Sequence, residues 1–196
     1  MKVQLIGKLV ALPVLALTLA GCIDVEMDVA LTGDATARVT TTQIISADFY
    51  EMVAASAEDG EEGFCAPENL TETDDGGAIC VDVKEGPFAE LIEGDEEGGM
   101  VFAAEGPNLV RVTLPLDDIE QEMGAGEELD AETRAMMQSM FEGRTITVSV
   151  SGLEIVETNM ERSADGKSAS IVLGFMDIID GETGLDGDLF ALVRTP

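Results

Sequence analysis

The chain has 196 residues, with 40 Asp and Glu against 10 Lys and Arg, no His and no Trp. Its net charge of -30 argues against nucleic-acid binding, because phosphates would be repelled rather than neutralised. The lack of His excludes a Ser-His-Asp triad and any zinc site built on His. Hydrophobic residues make up 45%, which is enough for a packed core and unlike an acidic disordered tail.

Residues 1–21 have the pattern of an export signal. Lys2 and Lys8 precede an apolar run, 9–19, which is shorter than the roughly 20 residues of a membrane-spanning helix. The run ends in Leu19-Ala20-Gly21-Cys22, which resembles the lipobox of bacterial lipoprotein precursors. The resemblance implies cleavage before Cys22 and its acylation, with palmitate among the attached chains. Two or three acyl chains give stable attachment to a membrane.

The lipobox resemblance also implies a location and an organisation. Residues 1–21 are expected to be a cleaved lipoprotein signal peptide, and residues 22–196 a single acidic α+β periplasmic domain. Ile23, rather than Asp, follows Cys22, which in the family favours the periplasmic face of the outer membrane over the inner membrane. The expected partners are therefore the membrane, through the lipid anchor, and another envelope protein or a lipid.

The two remaining cysteines predict a disulfide. Cys65 and Cys80 form an even pair in a chain expected in an oxidising compartment. The polar, glycine-bearing loop between them is poor core material, and closing a loop of this size contributes about 3 kcal/mol in the chain-entropy model. A redox-active pair is the alternative, but it lacks the CxxC spacing.

The first half of the mature chain predicts strands and one helix. Residues 23–31 alternate between apolar and polar, as in a half-buried strand, and residues 36–45 form its hairpin partner. Ser46 is expected to cap a helix over 47–57 that carries Phe49 on its apolar face. Further strands are predicted at 78–84, 100–104 and 108–114, with one or two helical turns at 87–92.

The second half predicts another helix and a series of strands. Asp130 is expected to cap a helix over 131–142, after an acidic loop at 117–126. Strands follow at 145–150, 153–157, 168–173 and 189–193, with a hairpin turn at Asp165-Gly166. The stretch 177–188 is expected to be an acidic loop. The predicted fold class is α+β, an antiparallel sheet of hairpins with two helices packed on it.

A motif in the C-terminal half carries a second resemblance. Gly152, Ile155-Val156 and Asn159 are followed by the run Asp165-Gly166-Lys167-Ser168-Ala169 and a hydrophobic strand. This order, with a hairpin directly after Cys22, is similar to bacterial envelope lipoproteins of the LppM type. The resemblance implies an α+β fold and an envelope role, and it carries over no catalytic residue. Ile171 stands where that family has an aromatic residue.

Two groups of side chains are candidates for binding. Carboxylates on a glycine-bearing loop suit calcium, although their spacing does not match an EF-hand. The candidate ligands are Asp177, Asp180, Glu182, Asp186 and Asp188. Apolar residues of the two helices could line a lipid- or partner-facing groove, or simply face the core. These residues are Phe49, Met136, Met137, Met140 and Phe141.

The sequence favours a protein that binds rather than catalyses. Paired carboxylates are unavoidable with so many acids, but aromatics make up only 4%, which argues against a glycosidase cleft. The leading hypothesis is a non-enzymatic, lipid-anchored envelope protein that acts as a binding or structural module, without a cofactor other than a possible calcium ion. The alternative is a carrier or sensor of an apolar ligand, such as a lipid, in the periplasm.

Overall fold

A computed structural model describes residues 23–57, 65–92, 99–116, 130–185 and 187–196. These residues form eleven strands, four α-helices and one 3-10 helix, Pro67–Asn69. The strands are β1 Ile23–Gly33, β2 Thr36–Ile45, β3 Leu70–Glu72, β4 Ala78–Pro87, β5 Val101–Gly106, β6 Leu109–Leu114, β7 Thr145–Ser151, β8 Glu154–Thr158, β9 Glu161–Arg162, β10 Ser168–Gly174 and β11 Leu189–Arg194. The helices are α1 Ala47–Ala57, α2 Phe88–Ile92, α3 Ala131–Phe141 and α4 Phe175–Ile179.

The larger sheet has seven strands in the order β3-β4-β2-β1-β7-β10-β9. The hairpin of β1 and β2 forms as its alternating pattern predicts, with Ile23 opposite Ile45. β1 also pairs with β7, and this pair is parallel, with Val25 opposite Ile146. The other pairs of this sheet are antiparallel. β1 and β7 are therefore the central strands that join the two halves of the chain.

A second sheet has four antiparallel strands in the order β5-β6-β11-β8. Both sheets contribute to one cluster of buried aliphatic residues. Val29 of β1 and Val150 of β7 belong to it, as do Val112 of β6 and Val193 of β11. Fully burying a side chain of this kind contributes about 1.5–3 kcal/mol. The common cluster therefore holds the two sheets together.

The α+β class and the mostly antiparallel pairing agree with the sequence analysis, but the arrangement differs in two respects. The strands form two sheets rather than one. The described residues also contain four α-helices rather than two. The extra helices are short: α2 lies where one or two helical turns are predicted, and α4 lies partly within the predicted acidic loop.

The prediction of an acidic loop over the whole of 177–188 is wrong at its start. Phe175, Ile178 and Ile179 are buried on α4, and Ile178 belongs to the common cluster. Their spacing of three and four residues places them on one helical face. The helix forms because this apolar face is covered, while Asp177 and Asp180 are themselves exposed.

Three helices meet one end of the seven-stranded sheet. We call it the proximal end: it is the end at which β1 begins, and Ile23, Ile45, Ala78, Thr145 and Gly174 lie there. α1 follows β2 from this end, α3 precedes β7, and α4 follows β10. The opposite, distal end holds the turn between β1 and β2 and the last residues of β7.

The predicted helix caps have different outcomes. Asp130 caps α3, since its side chain accepts hydrogen bonds from the backbone N–H groups of Glu132 and Thr133. The prediction for Ser46 is wrong: its Oγ is buried and has no hydrogen-bond partner among the described residues. Only its backbone carbonyl takes part, by accepting from Tyr50 N. None of the described helices is both long and apolar enough to cross a membrane.

Candidate functional site

The predicted lipidation site, Cys22, lies outside the described residues, but it immediately precedes β1 in the chain. Ile23 is the first residue of β1, so one peptide bond joins Cys22 to a central strand of the larger sheet. Consecutive Cα atoms are about 3.8 Å apart. Cys22 therefore directly adjoins the proximal end, with no linker between them.

The start of β1 is fastened to the segment that precedes β7. Arg144 Nη1 lies 2.6 Å from Asp24 Oδ2, and both side chains are about three-quarters buried. Asp24 Oδ1 also accepts from the backbone N–H of Thr145 at 2.8 Å. A charge-assisted pair of this kind is stronger than a neutral hydrogen bond. It ties the junction of α3 and β7 to the residue after Ile23, which stiffens the proximal end.

Cys65 and Cys80 form the predicted disulfide, with Cα atoms 6.0 Å apart. Cys80 is buried on β4 and Cys65 precedes the 3-10 helix. Between them, the short strand β3 pairs with the beginning of β4. The bond therefore holds the polar segment 65–72 against the outermost part of the larger sheet.

The five predicted apolar ligand contacts lie on two helices. Phe49 is on α1, which leaves β2, whereas the other four are on α3, which leads into β7. Because β2 and β7 flank β1 on opposite sides, the structure does not place Phe49 and the α3 residues on the same side of the central strand. Phe141 instead stacks on Phe175 of α4, with ring centroids 5.2 Å apart.

The apolar residues of these helices are only partly covered. Met136 is 54% exposed, and α3, all of whose residues are described, has no fully buried side chain. Met52 on α1 is also 54% exposed. Met137 and Met140 are half-buried. Both helices, each of which has one end at the proximal end, thus expose methionine.

Two of the predicted calcium ligands are bonded to other groups of the protein. Asp180 pairs with Arg134 of α3 at 2.7 Å, and Asp188 Oδ1 accepts from the backbone N–H of Leu116 at 3.3 Å. Asp177 is on α4, Glu182 follows it, and Asp186 lies outside the described residues. Within the part of the chain that the structure describes, no three acidic or Cys side chains are grouped so as to hold a metal ion.

The motif residues of the C-terminal half support strands of both sheets. A Cβ on Gly152 would lie 2.4 Å from Val193 Cγ1, so only Gly fits beside β11. Asn159 donates to the carbonyl of Asp188 and accepts from Phe190 N, both at 2.9 Å. Asp165 closes its turn by accepting from Ser163 Oγ at 2.7 Å and from Lys167 N at 3.1 Å. The motif is therefore structural.

The carboxylates with resolved pKa shifts serve turns and caps. A hydrogen bond from Thr73 lowers the pKa of Asp75, the backbone N–H of Thr133 lowers that of Asp130, and the Ser163 hydroxyl lowers that of Asp165. All three carboxylates lie at the surface. Such shifts stabilise local backbone, whereas a catalytic acid needs a raised pKa in a cleft.

The outer face of the larger sheet carries a row of acids on β1. Asp24, Glu26 and Asp28 alternate with the inward residues, as the sequence predicts. Glu26 and Asp28 lie between hydroxyl-bearing residues of β2 and β7. Ser149 donates to Asp28. The pairing of Asp24 with Arg144 could not be found from the sequence, because 120 residues separate the two.

Comparison with known proteins gives one structural likeness. No family model matches the chain, and no curated protein matches it. The folded domain of Mycobacterium tuberculosis LppM, solved by NMR, is similar with a TM-score of 0.48 and 12% sequence identity, over 89% of this chain and 91% of that one. The motif resembles the same type of protein, and no residue role is taken from this structural likeness.

Proposed function

We propose that the protein is a non-enzymatic cell-envelope lipoprotein, anchored by acyl chains on Cys22, that works as a binding or structural module. The observation that carries the proposal is the lipobox Leu19-Ala20-Gly21-Cys22 placed directly before the first strand of a folded domain. One acyl chain gives only marginal membrane binding, whereas two or three hold a protein firmly. The anchor thus keeps residues 22–196 at the membrane surface as one domain.

The distribution of carboxylates supports a binding role over catalysis. Several of them close turns, cap α3 or pair with Arg residues. The remaining acids contribute to a large negative charge. Such a charge repels anionic lipid and attracts a partner with a basic surface. We therefore propose another envelope protein with a basic patch as the partner.

The residue after Cys22 supports a location. Lipoproteins with Asp at this position are held in the inner membrane. Here the position is Ile23, which is apolar and half-buried in β1. We propose attachment to the periplasmic face of the outer membrane. The disulfide between Cys65 and Cys80 suits that oxidising compartment.

A second candidate is a carrier or sensor of an apolar ligand. It is favoured by one observation: the methionines of α3 are exposed or half-buried rather than packed in the common cluster. Flexible thioether side chains suit adaptable apolar binding surfaces. Native mass spectra of the protein extracted in mild detergent decide between the candidates: a co-purified lipid mass beyond that attached to Cys22 supports the carrier.

The anchor is tested by labelling cells with an alkyne analogue of palmitate and partitioning the extract in Triton X-114. We expect the wild-type protein to carry the label and enter the detergent phase. Cys22→Ser is expected to lose both properties. The matched control is Cys65→Ser with Cys80→Ser, which removes two cysteines but keeps Cys22 and is expected to keep the label. An unlabelled wild-type protein in the aqueous phase would contradict the anchor.

A further inference from the structure

The proximal end has almost no freedom relative to an anchor at Cys22. β1 begins at the next residue and is paired on both sides from the start, with β2 at Ile23 and with β7 at Val25. The ion pair of Asp24 with Arg144 adds a side-chain tie at the same place. Because no flexible residues intervene, acyl chains on Cys22 hold this end within a few ångströms of the lipid headgroups, whichever way the rest of the molecule leans.

Two helices that start or end at the proximal end carry exposed methionines. α1 begins two residues after Ile45, which is opposite Ile23, and α3 ends four residues before Thr145, in the strand beside β1. Met52 and Met136 lie on these two helices, one on each side of the anchored strand. Exposed apolar side chains on a surface that is held against a bilayer can contact the apolar part of the lipid.

We propose that the proximal end is the membrane-facing end of the molecule, with Met136 of α3 and Met52 of α1 in contact with the surface of the bilayer. The inference rests on the proposed lipid anchor and extends it, because it assigns a second, non-covalent contact and an orientation. The partner is the lipid surface itself. The distal end and the outer face of the larger sheet then point away from the bilayer and stay open to a protein partner.

The charged residues on and next to α3 limit how deeply this helix enters the bilayer. α3 carries Glu132 and is preceded by Asp130, while its one basic residue, Arg134, is paired with Asp180. These charges keep the helix at the level of the headgroups and oppose insertion into an anionic surface. The contact is therefore shallow, and it weakens as the fraction of anionic lipid rises.

The absence of Trp from the sequence makes a direct test possible. Met136→Trp introduces a single indole at the proximal end, and Leu153→Trp introduces one at the distal end. The two sites are matched, since Leu153 is 53% exposed and Met136 is 54% exposed. Leu153 follows Ser151, which is opposite Ala30 and lies about 23 Å along the sheet from Ile23, from the rise of a strand. Met52→Trp provides a second proximal reporter on the other helix.

Each full-length variant is processed in its bacterial host, extracted in detergent and reconstituted into phosphatidylcholine vesicles with and without brominated phosphatidylcholine. We expect bromine to quench Met136→Trp and Met52→Trp at least about twofold more than Leu153→Trp, because a shallow contact lies within about 10 Å of the acyl boundary. Addition of phosphatidylglycerol is expected to reduce the difference.

Equal quenching at the two ends of a vesicle-bound, acylated protein would overturn the orientation and leave the anchor intact. Stronger quenching at Leu153→Trp would do the same. A wild-type chain that lacks acyl mass and does not bind vesicles would overturn both the anchor and the orientation. Circular dichroism that matches the wild type confirms the fold of each variant.

Discussion

Apolar residues are buried on the last strand, β11, but only partly covered on the third helix, α3. On β11, Leu189, Ala191 and Val193 are completely buried between its neighbours and the larger sheet. On α3, whose residues are all described, no side chain is fully buried. The contrast shows that β11 belongs to the buried core of the fold, whereas α3 leaves part of its apolar surface exposed.

The largest expected effect is the loss of stability when a core side chain is truncated, compared with truncation of an exposed side chain on α3. Ile155→Ala removes a side chain of β8 that is 1% exposed and is expected to destabilise the protein by about 2–5 kcal/mol. Met136→Ala at the exposed site on α3 is expected to cost less than about 0.5 kcal/mol. Urea denaturation of the two variants measures the difference. A loss of similar size in both would contradict the assignment of α3 as a surface helix.

The disulfide is expected to make the next largest contribution to the free energy of unfolding. Replacing Cys65 and Cys80 by Ala together is expected to lower the free energy of unfolding by about 3 kcal/mol, because the loop becomes free in the unfolded chain. Thermal denaturation with and without a reducing agent measures the effect. The double variant should be insensitive to the reductant, whereas the wild type should fall to its level. Unchanged stability on reduction would show that the bond constrains nothing.

A smaller effect is expected where a motif glycine meets the last strand. Gly152→Ala places a Cβ 2.4 Å from Val193 Cγ1 and 3.0 Å from the Arg194 carbonyl. Such overpacking typically costs about 1–3 kcal/mol. Lys167→Ala, an exposed change in the same motif, is the control and should be close to neutral. Equal stability of both variants, by urea denaturation, would remove the structural explanation of this Gly.

The smallest expected effect is the acid sensitivity of α3. Hydrogen bonding from the backbone N–H of Thr133 lowers the pKa of Asp130 below its usual range. The cap therefore stabilises the helix fully above the unfolded pKa of Asp, about 3.9, and is lost as the pH falls through the lower folded value. Amide exchange of α3 across this range should show the loss. Asp130→Asn keeps a cap that does not titrate, and a pH profile like that of the wild type would refute the role of this carboxylate.

Local pattern was sufficient to predict the hairpin of β1 and β2, the helix limits of α1, and the cap and start of α3. Each of these depends on alternation or capping within a few residues. The parallel pairing of Val25 with Ile146 depends on a contact across most of the chain, so no local pattern shows it. The division into two sheets has the same cause, since β11 joins β6 and β8 from distant parts of the sequence.

The candidate site was predictable only in part. The lipidation of Cys22 lies outside the described residues and stays a prediction. The pairing of Cys65 with Cys80 can be read from the sequence because few residue types form such a bond. The exposure of Met136 cannot, because the helical spacing of apolar residues on α3 is the same whether a core or a membrane covers them. α4 was missed for a related reason: three acids at 177, 180 and 182 surround Ile178 and Ile179, and they obscure an apolar helical face.

Top-down mass spectrometry of the protein extracted from its own envelope tests the lipid anchor without any substitution. We expect a chain that begins at Cys22, without residues 1–21, with the mass of a diacylglyceryl group and an N-terminal acyl chain on the first fragment ions. We also expect the loss of two hydrogens from the pair Cys65 and Cys80. A chain that retains Met1, or that carries an unmodified Cys22, would contradict the anchor and the membrane-facing role of the proximal end.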